Sequence, residues 1–254
     1  MANTLELGNG KWATGKDTVL AFNDENNNFK PLPFDFSRAS SGTIVNQQGL
    51  IETVGSGEPR IDFKDDAKGA LKLEPQSNNL VTYSEDFSNA AWTGGGSITI
   101  SGGYLAPDGS DNAYKVSGSG GALNGGFGLI ESTTRSIYAR TVSGAGKISL
   151  LSYFGNSNNL FDITEEWQRF EVSTSISTGS NSFYAVDFRS LSATLSEVII
   201  WGANATNDQS YATSYIPTQG SVVTRSADVC NNGANEQVIN STEGVLYAEI
   251  SALA

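Results

Sequence analysis

Few residues in this chain have the type and spacing to do chemistry together. Glu165 and Glu166, beside Trp167, supply two carboxylates, the functional groups with which glycosidic bonds are hydrolysed. Neighbouring residues on an extended chain point to opposite sides, so these two cannot flank one bond, and the pair reads as a solvated turn. Asp108 and Asp111, around Gly109 and Ser110, offer carboxylates and turn carbonyls suited to a hard cation such as calcium. The full calcium-loop signature is absent and Pro107-Asp108-Gly109 spells a plain turn, which is the preferred reading, so no metal site is expected and Asp108 and Asp111 are the candidate ligands only against that reading. Gly118-Ser119-Gly120-Gly121 and Gly125-Gly126-Phe127-Gly128 lack the Lys and Ser/Thr of a phosphate-binding loop, and they read as flexible β-turns. Exposed aromatic rings stack on sugars, and Tyr104, Tyr153 and Phe154 are the candidates for such a glycan platform. Trp201, within Val198-Ile199-Ile200-Trp201-Gly202, is assigned to the core.

Composition narrows the function classes further. The chain contains no histidine, which removes the commonest general base and metal ligand, and its single cysteine, Cys230, excludes an intrachain disulfide and a thiolate cluster. With 15 basic and 27 acidic residues the net charge is -12, so phosphate backbones and anionic lipids find no general electrostatic attraction. The expectation is a protein without enzymatic activity or cofactor, with neither nucleic acid nor membrane among its partners. No secretory signal or bilayer-spanning run is visible, which predicts a soluble product of cytoplasmic synthesis.

The elements that would carry these residues are strands. The chain has 28 glycines, abundant Ser, Thr and Asn, and few long charged helix formers, which favours short strands joined by turns. Candidate strands are 97–100, 113–116, 135–142, 147–154, 168–176, 182–188 and 197–202. Phe170, Val172, Thr174 and Ile176 repeat with period two, as do Tyr184, Val186 and Phe188, so each set lies on one sheet face, with the other face wet. Strands at this spacing predict an all-β fold, a jelly-roll β-sandwich over residues 73–228 including a flanking linker.

Residues 1–72 alternate apolar clusters such as Val19-Leu20-Ala21-Phe22 with polar tracts such as Asn23-Asp24-Glu25-Asn26-Asn27-Asn28, and read as an irregular N-terminal attachment arm. A small hairpin is expected in it, with Asn46-Gln47-Gln48-Gly49 turning between Thr43-Ile44-Val45 and Leu50-Ile51. Residues 229–254 read as a linker followed by a strand at 245–250, which opens a further domain or pairs with another subunit. Arg38, Arg60, Glu74, Arg225 and Asp228, all in arm or linker, are expected to form ion pairs tying arm to sandwich.

Several stretches occur in a specific order: Phe34-Asp35-Phe36-Ser37-Arg38-Ala39-Ser40-Ser41, Gly49-Leu50-Ile51-Glu52, Pro59-Arg60-Ile61-Asp62-Phe63, Leu73-Glu74-Pro75-Gln76 and Thr82-Tyr83-Ser84-Glu85-Asp86-Phe87-Ser88-Asn89-Ala90-Ala91-Trp92. They continue with Trp201-Gly202-Ala203, Ala212-Thr213-Ser214-Tyr215-Ile216-Pro217-Thr218 and Thr224-Arg225-Ser226-Ala227-Asp228. In these stretches the chain resembles a family of bacteriophage virion proteins found in fibres and appendages. The resemblance implies a carbohydrate-module-like jelly roll used as a structural building block, with no catalytic residues to transfer. The expected function is the particle-proximal part of a head or tail fibre, made in the host bacterial cytoplasm and located in the virion. The expected partners are further copies of itself as a homotrimer, capsid or tail proteins, and a host surface glycan. The alternative is a carbohydrate-binding module that contacts the host surface directly.

Overall fold

In a computed structural model of the chain, residues 5–24, 26–176, 182–233, 245 and 247–250 are described. Every regular element among them is a β-strand. The chain divides into two compact units, one made of Met1–Ser77 with Arg225–Ala254 and the other of Asn78–Thr224. The chain leaves the first unit within β9 (Ser77–Asn79) and returns within β18 (Val223–Arg225).

The first unit contains β1 (Leu5–Glu6), β2 (Ala13–Gly15), β3 (Thr18–Asn23), β4 (Asn28–Ser37) and, from the C-terminal part, β19 (Val229–Asn231). They form one antiparallel sheet in the order β1-β3-β4-β19, with β2 also on β3. Along β3 the side chains alternate between half-buried and buried, with Val19, Ala21 and Asn23 inside. The expected irregular arm is therefore a folded unit. Asn23 and Asn28, the ends of the polar tract after Phe22, close β3 and open β4 as paired residues, and the indole N–H of Trp12 donates to the Lys68 carbonyl at 2.9 Å. Two short pairs complete the unit, β5 (Gly42–Val45) with β6 (Ile51–Val54) and β7 (Ile61–Asp62) with β8 (Ala70–Leu71). The first is the expected hairpin. Its turn is closed by Asn46, whose Oδ1 accepts from the amides of Gln48 and Leu50, both at 3.0 Å. Val245 and Tyr247, Ala248, Glu249 and Ile250 carry no strand, and Leu246 lies outside the described residues.

The second unit contains β10 (Thr93–Tyr104), β11 (Ala113–Gly126), β12 (Ser132–Arg140), β13 (Gly146–Ser152), β14 (Leu160–Ile163), β15 (Gln168–Ser175), β16 (Ser182–Asp187) and β17 (Glu197–Asn207). The hydrogen-bonded order is β14-β13-β16-β11-β17-β12-β15, and β10 pairs β11. The first half of β11 pairs with β17 and its second half with β16, so the long β10–β11 hairpin belongs to two layers. At the ends of that path Phe161 of β14 meets Phe170 of β15 with ring centroids 5.1 Å apart, so the two edge strands of the jelly-roll sandwich pack through their side chains.

The hairpin bends where its glycines lie. Gly96 and Gly120 have φ of +75° and +66°, the β10–β11 register shifts between Gly95 and Ser97, and a Cβ on Gly121 would run into the Gly95 carbonyl oxygen. The Gly118-Ser119-Gly120-Gly121 stretch, expected to be a turn, is thus mid-strand.

Trp201 is buried, with its ring centroid 4.7 Å from that of Tyr215, and its indole N–H donates to Asn112 Oδ1 at 2.7 Å. Phe170 and Val172 are only half-buried because β15 is an edge strand. On β16 the expected wet face is absent, since Phe183 to Asp187 are all buried between β13 and β11. The edge of β17 that β11 leaves is taken by residues 80–84, with the Leu80 amide on the Ala205 carbonyl at 2.8 Å and the Ala203 amide on the Ser84 carbonyl at 2.9 Å. Buried Asn79 fixes that crossing with all four of its amide bonds. It donates to the carbonyls of Ala203 and Ile216 and accepts from the amides of Val81 and Ala205.

Candidate functional site

The sequence-derived glycan candidates separate in space. Tyr104 ends β10, opposite Ala113. Tyr153 and Phe154 follow β13, whose Ser152 lies in a cross-strand row with Tyr184, Asn124 and Thr93, and Thr93 is at the other end of β10. Tyr153 and Phe154 form a tight turn with Gly155 and Asn156, in which the Asn156 amide donates to the Tyr153 carbonyl at 2.9 Å and the Tyr153 amide to the Asn156 carbonyl at 3.2 Å. Tyr153 is half-buried, and Phe154 is 70% exposed.

Strain and charge behind this turn explain its position. Leu151, the residue before Ser152, has φ of +55° and is buried, which redirects the end of β13. Asp187, with its side chain fully buried, accepts from Ser152 Oγ at 2.6 Å and from Arg189 Nε and Nη2 at 2.9 and 2.6 Å. The Asp187 contact holds the Arg189 pKa above its ordinary value against the opposing effect of burial. Arg189 also lies over the Tyr184 ring at 4.6 Å. Arg135, on β12, is fully buried; its guanidinium is 5.7 Å from the Tyr153 ring, and burial lowers its pKa to about 10. Sequence reading named the two aromatics and missed Asp187 and Arg189, whose positions directly before and after Phe188 were the only available signal.

The metal candidates do not assemble a site. Asp108 Oδ1 accepts from the amide and hydroxyl of Ser110, at 2.9 and 2.7 Å, and Asp111 is exposed. Among the described residues no group of three or more Asp, Glu, His or Cys side chains could hold a metal ion. Glu165 accepts from the Gly144 amide, and both it and Glu166 are exposed. The second unit also contains a half-buried carboxyl, Glu85, whose pKa is raised by burial and by the charge of Asp108, while hydrogen bonds from Tyr215 and Asn112 oppose that rise.

The five expected ion-pair residues converge, all within the first unit, where the returning chain brings Arg225 and Asp228 back. Arg38 meets Asp228 at 3.0 Å, Arg60 meets Glu74 at 2.9 Å and also Asp228, and Arg225 lies 3.3 Å from Glu74 and 3.6 Å from Asp228. Their side chains are at most 2% exposed. For Arg60 burial lowers the pKa, yet hydrogen bonding to Asp228 and the charges of Glu74 and Asp228 raise it overall. Burial lowers that of Arg225, and Arg60 and Arg38 lower it further. These residues organise the first unit and leave no open site.

Comparison with protein-family models and with curated protein sequences finds no match. Solved structures similar to the chain include the CBM22-1 xylan-binding domain of Paenibacillus barcinonensis Xyn10C, at 13% identity and a TM-score of 0.36, covering 57% of this chain and 100% of that one. The C-terminal family 22 carbohydrate-binding module of Clostridium thermocellum Xyn10B is similar at 11% identity and a TM-score of 0.37, over 56% and 96% of the two chains. The enzymatically active domain of bacteriophage CBA120 tailspike protein 4 matches at 12% identity and a TM-score of 0.30, over 50% of this chain and 21% of that one. At such scores the similarity assigns no ligand or role.

Proposed function

We propose that this chain is a non-catalytic carbohydrate-binding protein whose second unit contacts glycans through Phe154. The observation that carries this reading is a large aromatic ring left 70% exposed on a turn whose carbonyls are tied down by buried Arg135 and partly buried Arg189. A rigid, exposed ring offers the apolar face that a pyranose stacks on, at little cost in ordering. Tyr153 backs the turn, and Asn156, Ser157 and Asn158 beside it supply amide and hydroxyl groups for sugar hydroxyls. The test is a glycan array probed with the parent chain and with Phe154→Ala. Binding by the parent that the variant loses supports the reading, and binding that survives the substitution removes Phe154 from it.

A second reading, a structural component of a bacteriophage head or tail fibre, has its own support. Arg38, Arg60, Glu74, Arg225 and Asp228, from four of the stretches in which the chain resembles virion appendage proteins, meet in one buried cluster. A buried cluster of that kind builds a scaffold, and a scaffold with a glycan-binding surface serves host attachment. In this setting the chain is located in the virion and assembles as a homotrimer with capsid or tail proteins. Antibody labelling of intact particles in the electron microscope tests it: labelled fibres support the reading, and unlabelled particles from a host that makes the protein contradict it.

A further inference from the structure

The turn that presents Phe154 is held by two arginines, Arg135 on β12 and Arg189 just after β16. Arg135 Nη1 donates to the Ser152 carbonyl at 3.0 Å, Arg189 Nη2 to that of Tyr153 at 3.1 Å, and Arg189 Nη1 to that of Phe154 at 3.1 Å. Three consecutive carbonyls therefore each accept from a guanidinium. These cations are engaged before any ligand arrives. Arg135 is fully buried and does not reach the surface. Arg189, 30% exposed, is bound bidentately by Asp187, and four of its five N–H groups are used by Asp187 and the two carbonyls.

The turn itself therefore adds no unengaged cation beside the ring. Asn156, Ser157 and Asn158 carry no charge, and the net charge of -12 opposes the approach of any anion. A carboxylated sugar would lose part of its hydration beside a guanidinium already neutralised by Asp187, whereas an uncharged sugar needs only the ring and hydrogen-bonding groups. We infer that the Phe154 platform selects uncharged sugars and discriminates against uronic and sialic acids. The inference rests on the glycan-binding reading above.

The experiment compares matched probes on the full chain: lactose with sialyllactose, and methyl-esterified with free oligogalacturonate. The expected result is binding to at least one neutral member, at least tenfold weaker binding to its acidic counterpart, and loss of binding in Phe154→Ala. Equal or tighter binding of the acidic member overturns the inference and leaves the glycan reading standing. No binding to these probes or to any glycan of a broad array overturns that reading, and the inference with it. Asp187→Asn, which releases the Arg189 charge, is expected to shift preference toward the acidic member. The pairwise comparison on the parent decides the matter even where that buried substitution unfolds the chain.

Discussion

Replacing Asp228 by Asn should unfold the first unit more readily than any other single isosteric change in the buried ion cluster. The Asp228 carboxylate accepts from Arg38 Nη1 at 3.0 Å, from Arg60 through Nε and Nη2, and from the Glu74 amide at 2.9 Å, and it faces Arg225 at 3.6 Å. The substitution keeps the shape but leaves Arg38, Arg60 and Arg225 buried with Glu74 as their single carboxylate. Removing one partner of a buried ion pair costs about 3–5 kcal/mol, because the remaining charge stays desolvated. At roughly 2–4 °C per kcal/mol for a chain of this size, the first unfolding transition should fall by about 10 °C. Differential scanning calorimetry, with fluorescence of Trp12 as a probe of the same unit, measures it. A fall of less than about 2 °C in a folded variant would show that the cluster is not what holds this unit together.

Three further perturbations test other parts of the fold. Trp201→Ala removes a buried ring and orphans Asn112 Oδ1, and should cost about 3–5 kcal/mol in denaturant unfolding of the second unit; a change under about 1 kcal/mol would contradict its place in the packing. Gly121→Ala forces a methyl group against the Gly95 carbonyl and should destabilise the bent hairpin by about 1–3 kcal/mol, whereas Gly126→Ala, with open space at its Cβ, should cost far less; equal effects would refute the bend. Glu85 has a folded pKa raised above 4.5, so its contribution favours the fold fully below that value and is lost as pH rises through the folded pKa. Glu85→Gln should therefore gain on the parent in melting temperature as pH is raised from about 4 to 7, and parallel curves would contradict the assignment.

Period and turn chemistry made much of the fold legible. The β5–β6 hairpin follows from two apolar runs around Asn46-Gln47-Gln48-Gly49, and the strand positions in the second unit follow from alternation. Where the reading stopped short, a residue had two physical meanings. Glycines that read as turns are bends within β10 and β11, because close backbone approach and a sharp turn select the same residue. The four-residue β14 has too few positions to show a period. The first unit looked like an arm because its sheet is completed by β19, almost two hundred residues after β4, and long-range pairing leaves no local signature. Of the candidate site, Tyr153 and Phe154 were visible as aromatics. Asp187 and Arg189 were not, since an Asp followed two residues later by an Arg is ordinary on a surface, and only the fold brings that pair beneath the turn.

The central claim is tested most directly by titrating the parent chain and Phe154→Ala with the neutral oligosaccharide that binds best, using isothermal calorimetry beside a thermal melt of each protein. Phe154 is 70% exposed, so the variant should melt with the parent while binding at least tenfold more weakly, about 1.4 kcal/mol. An unchanged dissociation constant in a variant that melts normally would place the glycan contact elsewhere and contradict the account.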